Sequence, residues 1–259
     1  MAGGFEGDVA DYYARYRRGY PADVVDALAD ALALSPVDTI VDLGCGTGQL
    51  TLPLARKVGR ALGVDPEADM LRHARTAERE AAVTNVQWIR GTADDLESIA
   101  AAYDGVGAIT LANAIHLVDR ARLFAAAKVA LRPRRGLAII ANGTPLWLQD
   151  TAWSAALRTF VHRRLGVSPT SYCGTDDATR ATYRSELTAM GYNVDQVRVT
   201  YTDTLTLDQI VGGVFSAMSD RIPERNDRAR FAAELGNALA GTDPFLEQVD
   251  VRTLIALRH

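Results

Sequence analysis

Cysteine is scarce in this chain of 259 residues: Cys45 and Cys173 are the only two, and they form no Cys-x-x-Cys pair. Two such thiols cannot build a disulfide framework or a cysteine-held zinc site, and they fit a reducing compartment. Long apolar runs are missing too. Each is broken by a charge or a glycine well short of the ~18 residues a spanning helix needs, and Met1–Tyr20 lacks the charged, apolar and small-residue succession of a signal peptide. The expectation is a cytoplasmic protein with no membrane partner. A basic surplus is lacking as well. The 28 Lys and Arg are outnumbered by 32 Asp and Glu, for a net charge of −4, which argues against nucleic acid as a partner because phosphate backbones are gripped by clustered cations. No His or acid pair has metal-ligand spacing on a helix, so no metal is expected. Low-complexity tracts, internal repeats and linkers are absent. The residues are 48% hydrophobic and 23% charged, which suits one large core, or one domain with a lid.

An aromatic, arginine-rich opening (Phe5, Tyr12, Tyr13, Tyr16, Arg17, Arg18, Tyr20) leads to Pro21, suited to a first helical turn, and Val25, Leu28 and Leu32 follow at helical spacing. This predicts a helix over Pro21–Leu34. Five short β-rich runs come next, at Thr39–Leu43, Ala61–Val64, Val86–Ile89, Val106–Leu111 and Leu137–Ala141. Helical patterns fall between them at Gln49–Lys57, Glu67–Glu80, Asp95–Ala102 and Asp119–Leu131. Nearly continuous apolar strands alternating with helices predict βαβ units and a parallel sheet with helices on both faces. Beyond Asn142 the alternation stops at Gly143-Thr144-Pro145. The stretch to about 190 reads as a helical insertion over the sheet, with Trp147, Trp153, Phe160, Tyr172 and Tyr183 as possible pocket walls or plain core. Strands near Val194–Thr204 and Val249–Ala256, with helices near Leu207–Met218 and Asp227–Ala240, bring the sheet to seven strands, the last pair read as antiparallel. The resulting plan is a single domain: a cover over 1–35, a core over 38–142, a substrate cap over 143–190, and closing strands and helices over 191–259.

The sharpest local feature is Val41-Asp42-Leu43-Gly44-Cys45-Gly46-Thr47-Gly48, a strand that runs into three glycines and then a helix. Such a loop lets a ligand approach the backbone and aims N–H groups at it, although a tight βα turn can use glycines for geometry alone. Asp65 ends the next strand, 21 positions beyond Gly44, where a carboxylate can accept from both hydroxyls of a ribose. Together they predict a nucleoside site. Gln49 stands where a dinucleotide fingerprint wants a small residue, and the turn holds no Lys for a P-loop. A ligand without a pyrophosphate fits better.

On these residues the sequence resembles the class I S-adenosylmethionine-dependent methyltransferase family. The likeness runs through Asp42–Gly48, through Gly63-Val64-Asp65-Pro66 with Met70-Leu71, through Gly91–Leu96, and through Ala112–Asp119. It also takes in the turn Leu131–Gly136, so that it spans about residues 38–142 in order. The resemblance implies a Rossmann-like sheet and S-adenosylmethionine as cofactor, leaving S-adenosylhomocysteine as product. Gly44, Gly46 and Gly48 would wrap the methionine part, with Asp42 either a ligand contact or a brace for the loop. Asp65, beside Pro66, would hold the ribose. Met70 would pack beside the adenine, or be core. Ala93 and Asp94 would border the adenine edge, and Tyr12, Tyr16 and Arg17 would fold over the methionine end, Arg17 by a charge-assisted contact.

In an open α/β sheet the ligand crevice lies beyond the carboxyl ends of the strands, which brings Asn113 and His116 close to the transferred group. His116 is the candidate base for a hydroxyl or protonated amine acceptor, or else it shapes the loop. Arg163 and Arg164 would favour an anionic acceptor if they face the pocket. The reading is methyl transfer to an oxygen or nitrogen of a small molecule. The alternatives are carbon methylation of an activated small molecule, a nicotinamide-dependent oxidoreductase, and a non-catalytic cofactor-binding module.

Overall fold

The computed structural model describes residues 4–168, 174, 176–218 and 221–258. Its sheet has seven strands: β1 (Thr39–Leu43), β2 (Arg60–Asp65), β3 (Val86–Arg90), β4 (Val106–Ala112), β5 (Leu131–Asn142), β6 (Asn193–Leu205) and β7 (Phe245–Leu257). They lie in the order β3-β2-β1-β4-β5-β7-β6. β1 to β5 are parallel to one another, and β7 runs antiparallel to both β5 and β6. The chain order reverses direction at β1/β4, the switch point beyond which an open α/β sheet holds its ligand.

Four of the five β1 residues and six of the seven in β4 are buried, as strands covered on both faces must be. One face packs against α5 (Leu96–Ala101), α6 (Arg120–Ala130) and α8 (Asp177–Ala189), with Leu123, Phe124, Tyr183 and Leu187 in its core. The other packs against α2 (Ala22–Ala31) and α3 (Thr51–Ala55), through Val25, Leu28, Leu32, Leu52 and Leu54. α4 (Ala68–Ala81) buries Met70, Leu71 and Ala74 at helical spacing. Asp119 Oδ1 caps α6 by accepting from Arg122 N–H at 3.2 Å.

β5 starts six residues before the expected Leu137. Arg132 and Arg135 on this extension both reach buried Asp38, Arg135 Nη2 at 2.8 Å, and the ladder with β4 shifts register between Val106 and Ala108.

A third hydrophobic cluster lies at the end of the sheet, where it takes in Leu205 of β6 and Phe245 of β7. α7 (Ala152–Leu165), α9 (Leu207–Ala217) and α10 (Arg228–Ala238) join there around Trp153, Phe160, Phe215 and Phe231, with Tyr12 of α1 (Asp8–Tyr16) against it. The cover is therefore drawn differently from the cap expected over 143–190. α8 belongs to the sheet, and Tyr183 with it, whereas α9 and α10 join the cover from the β6–β7 connection. That connection carries two helices and still joins antiparallel strands, because the helices pack on the cover and not across the sheet. Tyr172 and Cys173 lie outside the described residues.

Candidate active site

The loop after β1 is tied to β2 by its backbone: Gly44 and Cys45 both donate to the Val64 carbonyl, at 2.8 and 3.1 Å. Gly48 has φ +82°, and a Cβ there would stand 2.7 Å from the Trp88 ring, so only glycine fits. Gly46 differs: a Cβ on it would meet nothing nearer than the Tyr13 ring at 3.8 Å. Asp65, 6% exposed at the end of β2, accepts from Gly46 N–H through Oδ2 at 2.8 Å and from Glu67 N–H through Oδ1 at 2.9 Å. Burial pushes its pKa up, against the pull of these two N–H groups. Each carboxylate oxygen keeps lone-pair capacity for a further donor.

Asp42 does not face this cradle. It is 1% exposed and wedged under the loop, where Oδ2 accepts from Thr51 Oγ1 at 2.5 Å and Oδ1 from Thr110 Oγ1 at 2.6 Å. Of the two roles open to it, the geometry is that of a brace. Burial raises its pKa to about 6 despite the two hydroxyl donors.

The end of β4 abuts the loop, since a Cβ on Gly44 would stand 2.7 Å from Ala114 Cβ. Asn113 sits there with φ +52°, its N–H donating to the Ile140 carbonyl at 2.9 Å and its Oδ1 accepting from Asn142 N–H at 3.0 Å. Its side-chain oxygen thus pins the end of β5 to the end of β4. His116 follows in the 3-10 turn Ile115–Leu117, exposed, with its pKa lowered by partial burial. A lowered pKa leaves the ring neutral, and so able to accept a proton, at neutral pH.

α1 covers the loop, but its two faces do different work. Tyr12 and Tyr16 stack on each other and turn to α9, Tyr12 edge-on to Phe215 and Tyr16 filling the space over Gly212. Tyr13 is the residue that faces Gly46. Burial raises its pKa, and Arg17 lies over its ring at 5.3 Å while donating from Nε to Ser216 Oγ at 2.9 Å. Gln49 Nε2 ties the loop to α1 through the Arg17 carbonyl at 2.6 Å.

Around the remaining candidates, Met70 is buried on α4 and the Pro66 carbonyl accepts from Arg90 Nε at 3.1 Å. Ala93 packs against the sheet core. The Asp94 carboxylate turns outward to Arg122 at 3.4 Å. Arg164 is bound to Asp227 and Glu234 within the cover, and Arg163 is exposed, so neither lines the cradle. Tyr13, Tyr20 and Thr47 enter the site without having been singled out for it. Thr47 Oγ1 is buried with no partner, and Tyr20 neighbours Asn142, Tyr13 and Asp42. The missed signal was helical phase, because Tyr13 shares a face with Arg17 while Tyr12 shares one with Tyr16. Among the described residues no three His, Cys, Asp or Glu converge to hold a metal ion, and no helix is long and apolar enough to cross a membrane.

A sheet of this order with a glycine loop at its switch point and an acid at the end of the second strand is a Rossmann-like α/β fold. Comparison with known proteins narrows this. Residues 40–134 match the methyltransferase-domain family. The methyltransferase Rv3342 of Mycobacterium tuberculosis, whose own activity is uncharacterized, is 34% identical over 136 residues, 52% of this chain and 51% of that protein. The tRNA (adenine(58)-N(1))-methyltransferase of Thermus thermophilus is 34% identical over 122 residues, 46% of this chain and 45% of its own length. The chain thus spans about half the length of the curated relatives it matches. Among solved structures, the YcgJ protein of Bacillus subtilis superposes with a TM-score of 0.56 at 16% identity, covering 91% of this chain and 97% of its own. Residues 40–134 are thus similar to methyltransferase domains, and the chain as a whole shares its fold with the solved structure.

Proposed function

We propose that the protein transfers a methyl group from S-adenosylmethionine to an oxygen or nitrogen of a small molecule. One observation carries the reading: the Asp65 carboxylate closes onto the backbone of Gly46, the one loop glycine where an added Cβ would meet nothing closer than ordinary contact with the Tyr13 ring at 3.8 Å, with the unpartnered Thr47 hydroxyl beside it. An acid fixed against a glycine backbone under an aromatic ring suits a ribose and an amino-acid tail.

When bound, S-adenosylmethionine supplies an electrophilic methyl group that an acceptor displaces in line. The residues here supply position and exclusion of water, the main requirements of such a transfer. Asp65 would accept from the ribose hydroxyls, while Gly46 and Thr47 would offer their backbone and hydroxyl to the methionine part. Tyr13, lying over Gly46, would shield that end from solvent. Met70, Ala93 and the Asp94 backbone are the candidates for the adenine side. His116, neutral at pH 7, would take the acceptor's proton on a ring nitrogen. Small-molecule specificity is supported by the acidic balance of the chain. The tRNA methyltransferase similarity covers less than half of either protein and does not argue for an RNA substrate.

The test is a calorimetric titration of the protein with S-adenosylhomocysteine and with NAD. Saturable binding of the first and none of the second is expected, and the reverse would sink the assignment. Asp65→Ala should weaken S-adenosylhomocysteine by about 10- to 100-fold, the effect of leaving two buried hydroxyls without their charged acceptor. Undiminished affinity would remove Asp65 from the site. His116→Ala should lower turnover by about 10²- to 10⁴-fold with cofactor affinity unchanged. The wild-type rate should fall as pH drops through a value below the ordinary histidine range.

A further inference from the structure

The β7 strand overshoots the sheet. Its partner β5 ends at Asn142 opposite Val251, so Phe245–Asp250 continues beyond the carboxyl ends of the parallel strands, paired only with β6. Glu247 lies on this overhang with no exposed side-chain surface, and its two oxygens hold Arg18 Nη2 and Gln149 Nε2. A buried carboxylate needs such partners. The Tyr201 hydroxyl also lies against this guanidinium, yet Arg18 Nη1 is buried and has no partner of its own. A Cβ on Gly143 would stand 4.0 Å from that Nη1, which fixes it beside the end of β5. Two further buried polar atoms without partners, Asn142 Oδ1 and Trp147 Nε1, belong to the same short segment. Tyr20, a neighbour of both Asn142 and Tyr13, links the cluster to the glycine loop. Orphaned polar groups of this kind are rare in folded proteins, and two of them, Arg18 Nη1 and Asn142 Oδ1, lie beside Gly143 at the end of β5, which marks a position built for a ligand.

Resting on the methyltransferase reading, we propose that Arg18 is the specificity-determining residue of this protein: its Nη1 donates to a neutral carbonyl oxygen of the methyl acceptor, and Glu247 positions it. Charge decides the acceptor class. The Arg18–Glu247 pair is neutral as a unit, so a neutral oxygen gains a strong donor, whereas a carboxylate would add a second negative charge next to Glu247 in a site shielded from water. Arg18 stands one residue after Arg17, whose own side chain is engaged by Ser216 and Tyr13, so the neighbouring arginines have separate tasks.

Saturation-transfer NMR on the protein loaded with S-adenosylhomocysteine tests this with three probes of similar shape: acetophenone, benzoate and ethylbenzene. Acetophenone should bind at least tenfold more tightly than the other two. Arg18→Met should erase that preference while S-adenosylhomocysteine affinity stays within about twofold. Glu247→Gln, which keeps a hydrogen-bonding side chain but removes the charge, should shift preference toward benzoate, giving a second reading should Arg18→Met fail to fold. The proposal is overturned by a wild-type preference for benzoate, by acetophenone binding that survives Arg18→Met, or by no binding of any probe. Failure of the wild-type protein to bind S-adenosylhomocysteine would instead sink the underlying assignment.

Discussion

The parallel half of the sheet and the helical cover above it are held together by different physics. β1 to β5 are joined by backbone ladders and by near-continuous Val, Ile, Leu and Ala, and the buried polar residues at their ends brace turns: Asp42 with Thr51 and Thr110, Asp38 with Arg132, Arg135 and Ser35. The cover has no ladder. Its cohesion comes from a line of aromatic contacts, Tyr12 to Phe215 to Phe231 to Phe160 at centroid distances of 5.0 to 5.1 Å, ringed by arginine–acid pairs. Backbone ladders set a fold without much regard to side-chain identity. Packing of large rings can be rearranged by substitution, which would suit the acceptor specificity proposed for this region.

If the two regions are separate cooperative units, damage to the cover should leave the core standing. Phe231 has no exposed surface and touches both Phe160 and Phe215. Phe231→Ala should therefore cost about 3–5 kcal/mol, the range for emptying an aromatic core position. Hydrogen exchange should then quicken in α1, α7, α9 and α10 while the amides of β1, β2 and β4 keep their protection. Uniform loss of protection would mean that cover and core fold as one.

The same contrast explains what could be read in the sequence. The strands of the core were legible because burial on both faces leaves an apolar run with little ambiguity of register, and because Gly44, Gly46 and Gly48 are spaced as a tight βα turn requires, with Asp65 closing the next strand. Their ends were less so: β5 begins at Leu131, and not at Leu137, because long-range pairing with Asp38 holds Arg132 and Arg135 extended. In the cover, aromatic residues announced that something packs but not against what. Phe160 meets Phe231 of α10, about 70 positions later in the chain, and Trp153 meets Phe245 of β7, while Tyr183 packs on the sheet. No local period carries that information, since the partners are set by tertiary contacts alone. Asp42 shows the limit within the core, where a strand-end acid could equally bind a ligand or brace a turn until Thr110 and Thr51 are placed around it.

Asp42 also gives a way to sharpen the comparison from the core side. Its pKa is about 6 in the folded protein against about 3.9 for an unperturbed aspartate. The folded state therefore holds its proton more tightly than the unfolded state, and the carboxyl destabilises the fold progressively as pH rises from about 4 to 6. About two pH units correspond to about 3 kcal/mol. Asp42→Asn, which keeps an acceptor and adds a donor between the two threonines, should remove this slope. Urea unfolding at pH 4 and pH 7.5 checks it: the variant should gain on the wild type by about that amount between the two pH values. A gap that does not change with pH would mean that Asp42 is solvated in the fold.

The smallest effect is expected where cover meets core. Asp8, in the first turn of α1, accepts from Arg225 at 2.7 Å and from Arg228 at 2.6 Å, which holds its pKa below the usual carboxylate range. On the core side α1 is tied by Gly7 N–H to Asp69 and by Asp11 to His73, both at 2.8 Å. α1 is thus a strap pinned at both margins and lying over Gly46. Asp8 and Arg225 are partly or largely exposed, and solvent screens such pairs, so Asp8→Asn should lower stability by no more than about 1 kcal/mol. A depressed carboxylate contributes stability above its unfolded pKa, so the gap between variant and wild type should be full at pH 7 and close as pH falls through the folded value. The clearer readout is kinetic. Loosening one margin of the strap should speed S-adenosylhomocysteine release in stopped-flow displacement by about the fivefold that 1 kcal/mol allows, with the association rate raised in step and affinity nearly unchanged. If release is unaltered while stability falls, α1 is part of the cover's packing and not a barrier over the loop, and the two regions meet at a static seam.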